Sequence, residues 1–158
     1  HVAHLHALNL AIRVYGVVND ACFGLVEVRV FDPTSFREVL ATASALVTTA
    51  GNQLVGEALY LEKPGFAVPE PNNREQDINA HFVRAMGIGE ASSAATLTRD
   101  RLASFMEKVP FYRARINRQS MCGNTVAARI IEDHLNNTFA PQAGRLEPTP
   151  LVVRHAVA

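Results

Sequence analysis

Apolar and polar positions alternate from the start of the chain. His6, Leu8, Leu10, Ile12 and Val14 fall on one side, with Ala7, Asn9, Ala11, Arg13 and Tyr15 on the other. A period of two predicts a half-buried strand. Asn19-Asp20 supplies turn residues, and Val26, Val28 and Val30 alternate with Glu27 and Arg29, so an antiparallel hairpin is expected. Asp32-Pro33-Thr34-Ser35 is helix-start chemistry, and Phe36, Val39, Leu40, Ala43, Leu46, Val47 and Ala50 recur at helical spacing up to Gly51. Gln53 to Glu62 reads as a third strand, closed by Lys63-Pro64-Gly65.

Residues 64–73 hold Pro64, Pro69 and Pro71 and read as an extended connector into a helical half. Asn73 can cap the next helix, with Gln76 bonding back to it, and Ile78, Phe82, Ala85 and Met86 form its expected buried side. Thr98 caps a second helix whose core stripe is Leu102, Phe105, Met106 and Val109; Pro110 should end it near Val109. A third helical segment runs from Phe111 to Met121. A fourth follows Gly123, with Ala127, Ile130, Ile131, Leu135 and Phe139 on its apolar side. Beyond Pro141, prolines and a β-branched end predict an extended arm.

The expected fold class is therefore α+β. A ββαβ half (1–63) packs against a helical half (74–140) of three to four helices, making one domain over 1–140, and an extended C-terminal arm spans 141–158. At 158 residues and 48% apolar content, such a domain can bury an ordinary core. No apolar run approaches the roughly 20 residues that span a bilayer. Two cysteines, Cys22 and Cys122, are too few for a disulfide scaffold, and an intracellular, reducing setting is preferred.

The formal net charge is zero, but its distribution is uneven. Residues 99–129 hold seven Lys or Arg against two Asp or Glu, whereas residues 53–98 hold three against six. The basic stretch laces Arg99, Arg101, Arg113, Arg115, Arg118 and Arg129 with Phe111 and Tyr112. Guanidinium forks bind phosphate oxygens and aromatic faces stack on bases, a mixture suited to nucleic acid or another polyanion. The same face can instead salt-bridge to the acidic region, within the chain or on a neighbouring subunit. Together with the arm, this predicts a non-catalytic assembling structural or binding protein, a homo-oligomer through its C-terminal arm, with no cofactor and no membrane partner.

The alternative is an enzyme. His4 and His6 lie two apart on a strand and so point the same way, one way to seat two imidazoles on a metal. The triplet His4-Leu5-His6 resembles the His-hydrophobic-His motif of the HUH nucleases, which nick single-stranded DNA at a tyrosine. That resemblance rests on three residues and implies a divalent metal on His4 and His6, with a metal-dependent nuclease or hydrolase activity. Tyr112 is the only tyrosine in a predicted helix. A Cys122 thiol ahead of a helix start, with His81 as its base, is a further arrangement; His134 lies too far down the same helix to reach back.

Overall fold

The computed structural model describes residues 8–117 and 123–139. The chain divides into two compact units, His1–Cys122 and Gly123–Ala158. In the first, β1 (Ile12–Val17), β2 (Ala21–Phe23) and β3 (Val26–Val30) lead into α1 (Pro33–Thr42). The chain then alternates β4 (Leu46–Thr48), α2 (Asn52–Tyr60), β5 (Gly65–Ala67), α3 (Arg74–Ala85), β6 (Gly89–Ala91) and α4 (Arg99–Arg113). The second unit contributes α5 (Asn124–Phe139), whose extent matches the expected fourth helical segment. No helix among the described residues is long and apolar enough to cross a membrane.

Mixed helix and strand content is as expected at that coarse level, but the connectivity differs. The strands form two three-stranded sheets, ordered β1-β3-β2 and β4-β5-β6. β1 runs parallel to β3, and the hairpin partner of β3 is the short β2, so the expected β1–β3 hairpin is replaced by a parallel pair. The second sheet is wholly parallel. Parallel neighbours require a crossover, and α2 and α3 are those crossovers.

The expected strand over 53–62 is thus a helix. Leu54, Val55, Ala58 and Leu59 also fit a helical stripe, and Ala58 and Leu59 are buried. A short apolar run satisfies both periods, and here the crossover decides. The reverse error lies just upstream, where the helix expected to reach Ala50 stops at Thr42. The Thr42 hydroxyl bonds back to the carbonyls of Glu38 and Val39, and the β-branched run Val47-Thr48 pairs as β4.

Burial also departs from the expected face of α3. Ile78, Phe82 and Met86 are exposed, while Gln76, Ala80 and Val83 face inward. Small residues win here because the sheet surface is itself small. Ala80 packs against Ala67 and Ala50, and Val83 lies over Gly89, where any added Cβ would strike the Gly65 carbonyl oxygen and come within 2.8 Å of Val83 Cγ1. α4 belongs with Phe66, whose alternate direction on β5 brings it to Leu102, Phe105, Val109 and Tyr112. Pro110 does not end α4. Losing one ladder bond costs about 3 kcal/mol in a helix interior, and burial of Val109 before and Tyr112 after it, with Tyr112 stacked on Phe105 at 5.8 Å, offsets that cost.

Candidate functional site

Three loops gather at the carboxyl ends of the parallel strands β4, β5 and β6, the edge where open α/β sheets bind ligands. After β4, the Ala50 amide donates to Thr48 Oγ1 (3.3 Å), and Ala50 adopts a positive φ of 69° although fully buried. Asn79 Nδ2, from α3, donates to the Ala50 carbonyl at 2.9 Å and fixes this turn. The next residue, Gly51, is the N-cap of α2 and offers no side-chain cap, so the Gln53 and Leu54 amides of the first turn are uncapped. The Asn52 amide reaches Glu75 Oε1 at 3.4 Å. A helix start of this kind favours an anion through its exposed N–H groups and its dipole.

After β5, the loop Val68–Asn73 is tied down by Gln76. Its Oε1 accepts from the Glu70 amide (2.8 Å) and its Nε2 donates to Glu70 Oε2 (3.3 Å). Asn73 caps α3 through Oδ1, accepting from the Gln76 amide at 3.3 Å. The expected cap is therefore present, but the Gln76 side chain turns to Glu70 rather than back to Asn73. After β6, the Ser92 amide donates to the Ala67 carbonyl, continuing the sheet into the loop, and Ser92, Ser93 and Thr96 share hydroxyl hydrogen bonds of 2.9–3.0 Å. Thr98 caps α4 as expected, accepting from the Arg101 amide. The loop cluster thus combines open helix amides, a carboxylate held in place, and hydroxyls.

The arginine and aromatic residues expected to form one binding face are not gathered on one. Tyr112 is buried, its hydroxyl donating to Glu90 Oε1 at 2.6 Å; desolvation, and then the Glu90 carboxylate, push its pKa up to about 12. Arg113 donates to the backbone carbonyls of Glu62 and Ser44, at the opposite edge of the sheet from the loops. Arg101 donates to the Ala91 carbonyl. Arg115 lies over the exposed Phe111 ring at 5.3 Å and against Gly87. Arg99 is the first residue of α4, and Arg129 is exposed on α5 in the second unit. Arg118, like His4, His6, Cys122 and the arm at 141–158, lies outside the described residues.

His81 and His134 are both exposed. Among the described residues, no three His, Cys, Asp or Glu side chains converge as a metal would require. A polar cleft of about 310 Å³ sits on the first sheet between Arg13, Tyr15, Asp20, Arg29 and Ser35. Its cations are already paired, Arg13 with Glu27 and Arg29 with both Asp20 and Glu27.

The sequence alone singles out Asn73 and Gln76 only as a helix cap and Gly51 only as a helix end, and Glu70 not at all; their place in one loop cluster is hidden by the expected strand over 53–62 and connector over 64–73. Of the three strands that define these loops only β4 (Leu46–Thr48) carries β-branched residues; β5 (Gly65–Ala67) and β6 (Gly89–Ala91) carry none, so strand composition does not mark them.

A family model described as Glycosyl transferase family 1 matches residues 1–110. An uncharacterized glycosyltransferase of Methanopyrus kandleri is 32% identical over 104 residues, covering 63% of this chain and 29% of that protein. The UDP-N-acetylglucosamine–N-acetylmuramyl-(pentapeptide) pyrophosphoryl-undecaprenol N-acetylglucosamine transferase of Caldicellulosiruptor saccharolyticus is 32% identical over 83 residues, covering 51% and 22%. Among solved structures, the glycotransferase of kitacinnamycin superposes with a TM-score of 0.60 at 29% identity, covering 73% of this chain and 32% of that one. CalG4, the calicheamicin glycosyltransferase, gives 0.60 at 26%, covering 77% and 32%. The chain thus spans about a third or less of the length of these relatives. These matches overturn both functional expectations, the non-catalytic, self-assembling nucleic-acid binder and the histidine-metal nuclease: the chain matches a glycosyl transferase family instead. Six arginines close in sequence suggest a phosphate-binding face, but among the described residues Arg101, Arg113 and Arg115 are engaged at different places in the fold.

Proposed function

We propose, from the premise that the chain belongs to glycosyl transferase family 1, that it holds the nucleoside-diphosphate sugar donor of a glycosyltransferase on the loops that follow β4, β5 and β6. The relative named as an N-acetylglucosamine transferase, with UDP-N-acetylglucosamine in its name, supports a donor of this class. The observation that carries the reading is Gly51: it starts α2 at the carboxyl end of β4 without a capping side chain, so that of the first amides only Asn52 meets a side chain, Glu75, and those of Gln53 and Leu54 are left for a ligand. The diphosphate takes the N–H groups of α2, and the sugar lies toward the carboxylate and hydroxyls of the two neighbouring loops.

A helix start contributes only about 0.3–1 kcal/mol toward an anion at an exposed site, less than a tenfold gain in affinity. Its part is to place the diphosphate, and most of the binding energy has to come from the sugar and the base. Catalysis then follows from orientation: with the leaving diphosphate neutralised by amides, the bond between it and the sugar is polarised toward cleavage as the acceptor attacks.

Titration of isotopically labelled protein with the diphosphates of uridine, thymidine, guanosine and adenosine tests the reading. Saturable amide shifts at Gly51–Leu54 and Glu70–Gln76 with at least one of them are expected. No saturable change with any nucleotide up to millimolar concentration retires it.

A further inference from the structure

We infer that Asn79 is a positioning residue for the donor's diphosphate: it holds the strained Ala50 turn from which α2 starts, and so sets where the Gln53 and Leu54 amides point. This rests on the donor reading above. Asn79 stands in the second turn of α3 beside Ala80, whose methyl packs on Ala50 and Ala67. α3 therefore meets the turn twice, through that apolar contact and through the 2.9 Å bond from Asn79 Nδ2 to the Ala50 carbonyl. The bond joins residues 29 apart in sequence, so the turn does not close it from its own neighbours.

Ala50 needs that outside hold. Left-handed backbone disfavours a residue with a Cβ by roughly tenfold, and Ala50 sits there at φ 69°. Thr48 Oγ1 accepts its amide in a long 3.3 Å bond, and Asn79 fixes its carbonyl. A neutral hydrogen bond is worth about fivefold, close to the strain, so losing the Asn79 bond releases the turn. The carbonyl belongs to the Ala50–Gly51 peptide, the last unit before the helix, and rotating that unit redirects the start of α2. Gly51 itself adds no restraint: its φ of −59° is open to any residue, and a Cβ there would meet nothing within 4 Å. The space over the helix start is thus free for a ligand, while the aim of the amides is set from α3. Strain held at a binding turn by a neighbouring element is preorganisation, the geometry being fixed before the ligand arrives.

The test compares a nucleoside with its diphosphate, uridine against UDP or whichever pair the nucleotide titration selects, followed through the amide resonances of labelled protein. The affinity ratio measures the phosphate contribution. Asn79→Ala removes the donor, and Asn79→Asp keeps the size but sets a carboxylate oxygen against the Ala50 carbonyl. Each should cut the phosphate contribution by about threefold to tenfold, as the population with correctly aimed amides falls. Affinity for the nucleoside, which presents no anion to the helix start, should stay within about twofold. Adding Ala50→Gly to Asn79→Ala should restore most of the lost ratio, because glycine enters left-handed backbone without the penalty. Three results overturn the inference. An unchanged ratio in both Asn79 variants means the turn needs no hold from α3. Equal weakening of nucleoside and diphosphate means the fold has been damaged as a whole. A lowered ratio that Ala50→Gly leaves uncorrected means Asn79 acts on the phosphates directly and not through Ala50. If no nucleotide binds the unaltered chain, the donor reading itself fails and this inference falls with it.

Discussion

Tyr112 and Glu90 join α4 to β6 through a 2.6 Å hydrogen bond from the buried phenol to Glu90 Oε1. The bond crosses the face of the sheet on which Phe66, Phe105 and Tyr112 pack, and it ties the helix that continues past Pro110 to the strand leading into the third loop of the site. Its chemistry is legible in the phenol: burial and the neighbouring carboxylate both oppose ionisation, holding its pKa at about 12.

The native state therefore keeps Tyr112 protonated where an unfolded chain begins to lose that proton, near pH 10. A raised acid pKa contributes stability below the unfolded value and loses it as pH climbs toward the folded one. Urea unfolding should show stability falling from about pH 10 toward about pH 12. Tyr112→Phe should flatten the part of that slope due to this phenol and cost about 1.5–3 kcal/mol at neutral pH, the range for a hydrogen bond to a charged group. A variant as stable as the parent at pH 7 would mean that the bond is not formed in solution.

Gly89 and Gly56 are predicted to respond in opposite ways. An added Cβ at Gly89 meets the Gly65 carbonyl and Val83 Cγ1, so Gly89→Ala must part β5 from β6 or displace α3. A loss of about 3 kcal/mol or more is expected, at the upper end of overpacking. Gly56, inside α2, has open space around it, and Gly56→Ala should gain about 0.5–1 kcal/mol. Thermal unfolding of the two variants checks both signs, and a tolerated Gly89→Ala would contradict the close approach of the two strands.

Ala50 is a fully buried non-glycine residue at φ 69°, held by Thr48 and Asn79 in the turn that presents α2. A left-handed residue with a Cβ costs about 1 kcal/mol or more. Ala50→Gly should relieve that strain and raise the midpoint of thermal unfolding, while leaving the Asn79 bond to the carbonyl intact. A lower midpoint would show that the Ala50 methyl, packed against Ala67 and Ala80, is worth more than the strain.

What the chain reveals unaided divides along physical lines. Helix starts were legible where a short polar side chain closes its own helix: Asp32, Asn73 and Thr98 each cap as expected. Core positions on α4 were legible because Leu102, Phe105 and Val109 are large and evenly spaced. Three-residue strands were not. Leu46–Thr48, Gly65–Ala67 and Gly89–Ala91 are too short to show a period and gain their identity from one another. The site inherited that blindness, because its loops are defined by those strands. The arginines misled for a related reason: closeness in sequence gave Arg101, Arg113 and Arg115 a common role, yet each bonds a different part of the fold.

Arg113 supplies the sharpest test of that last point. Its guanidinium forks between the Glu62 carbonyl (Nε, 3.3 Å) and the Ser44 carbonyl (2.8 Å), stitching α4 to the residues that precede β4 and β5. The same charge helps hold the Lys63 ammonium below its usual pKa, after the larger effect of desolvation. Arg113→Met should therefore lose about 1–3 kcal/mol, the cost of leaving acceptors unmet, and let the Lys63 pKa rise toward its ordinary value. Arg113→Lys, a point charge without the fork, should recover only part of the stability because it cannot serve both carbonyls in that geometry. Urea denaturation of the three proteins gives the ordering. Nucleotide affinity should be the same in all three, since Arg113 lies at the far edge of the sheet from the loops; an Arg113→Met protein of parental stability but weakened nucleotide binding would place this guanidinium in the site instead of in the scaffold.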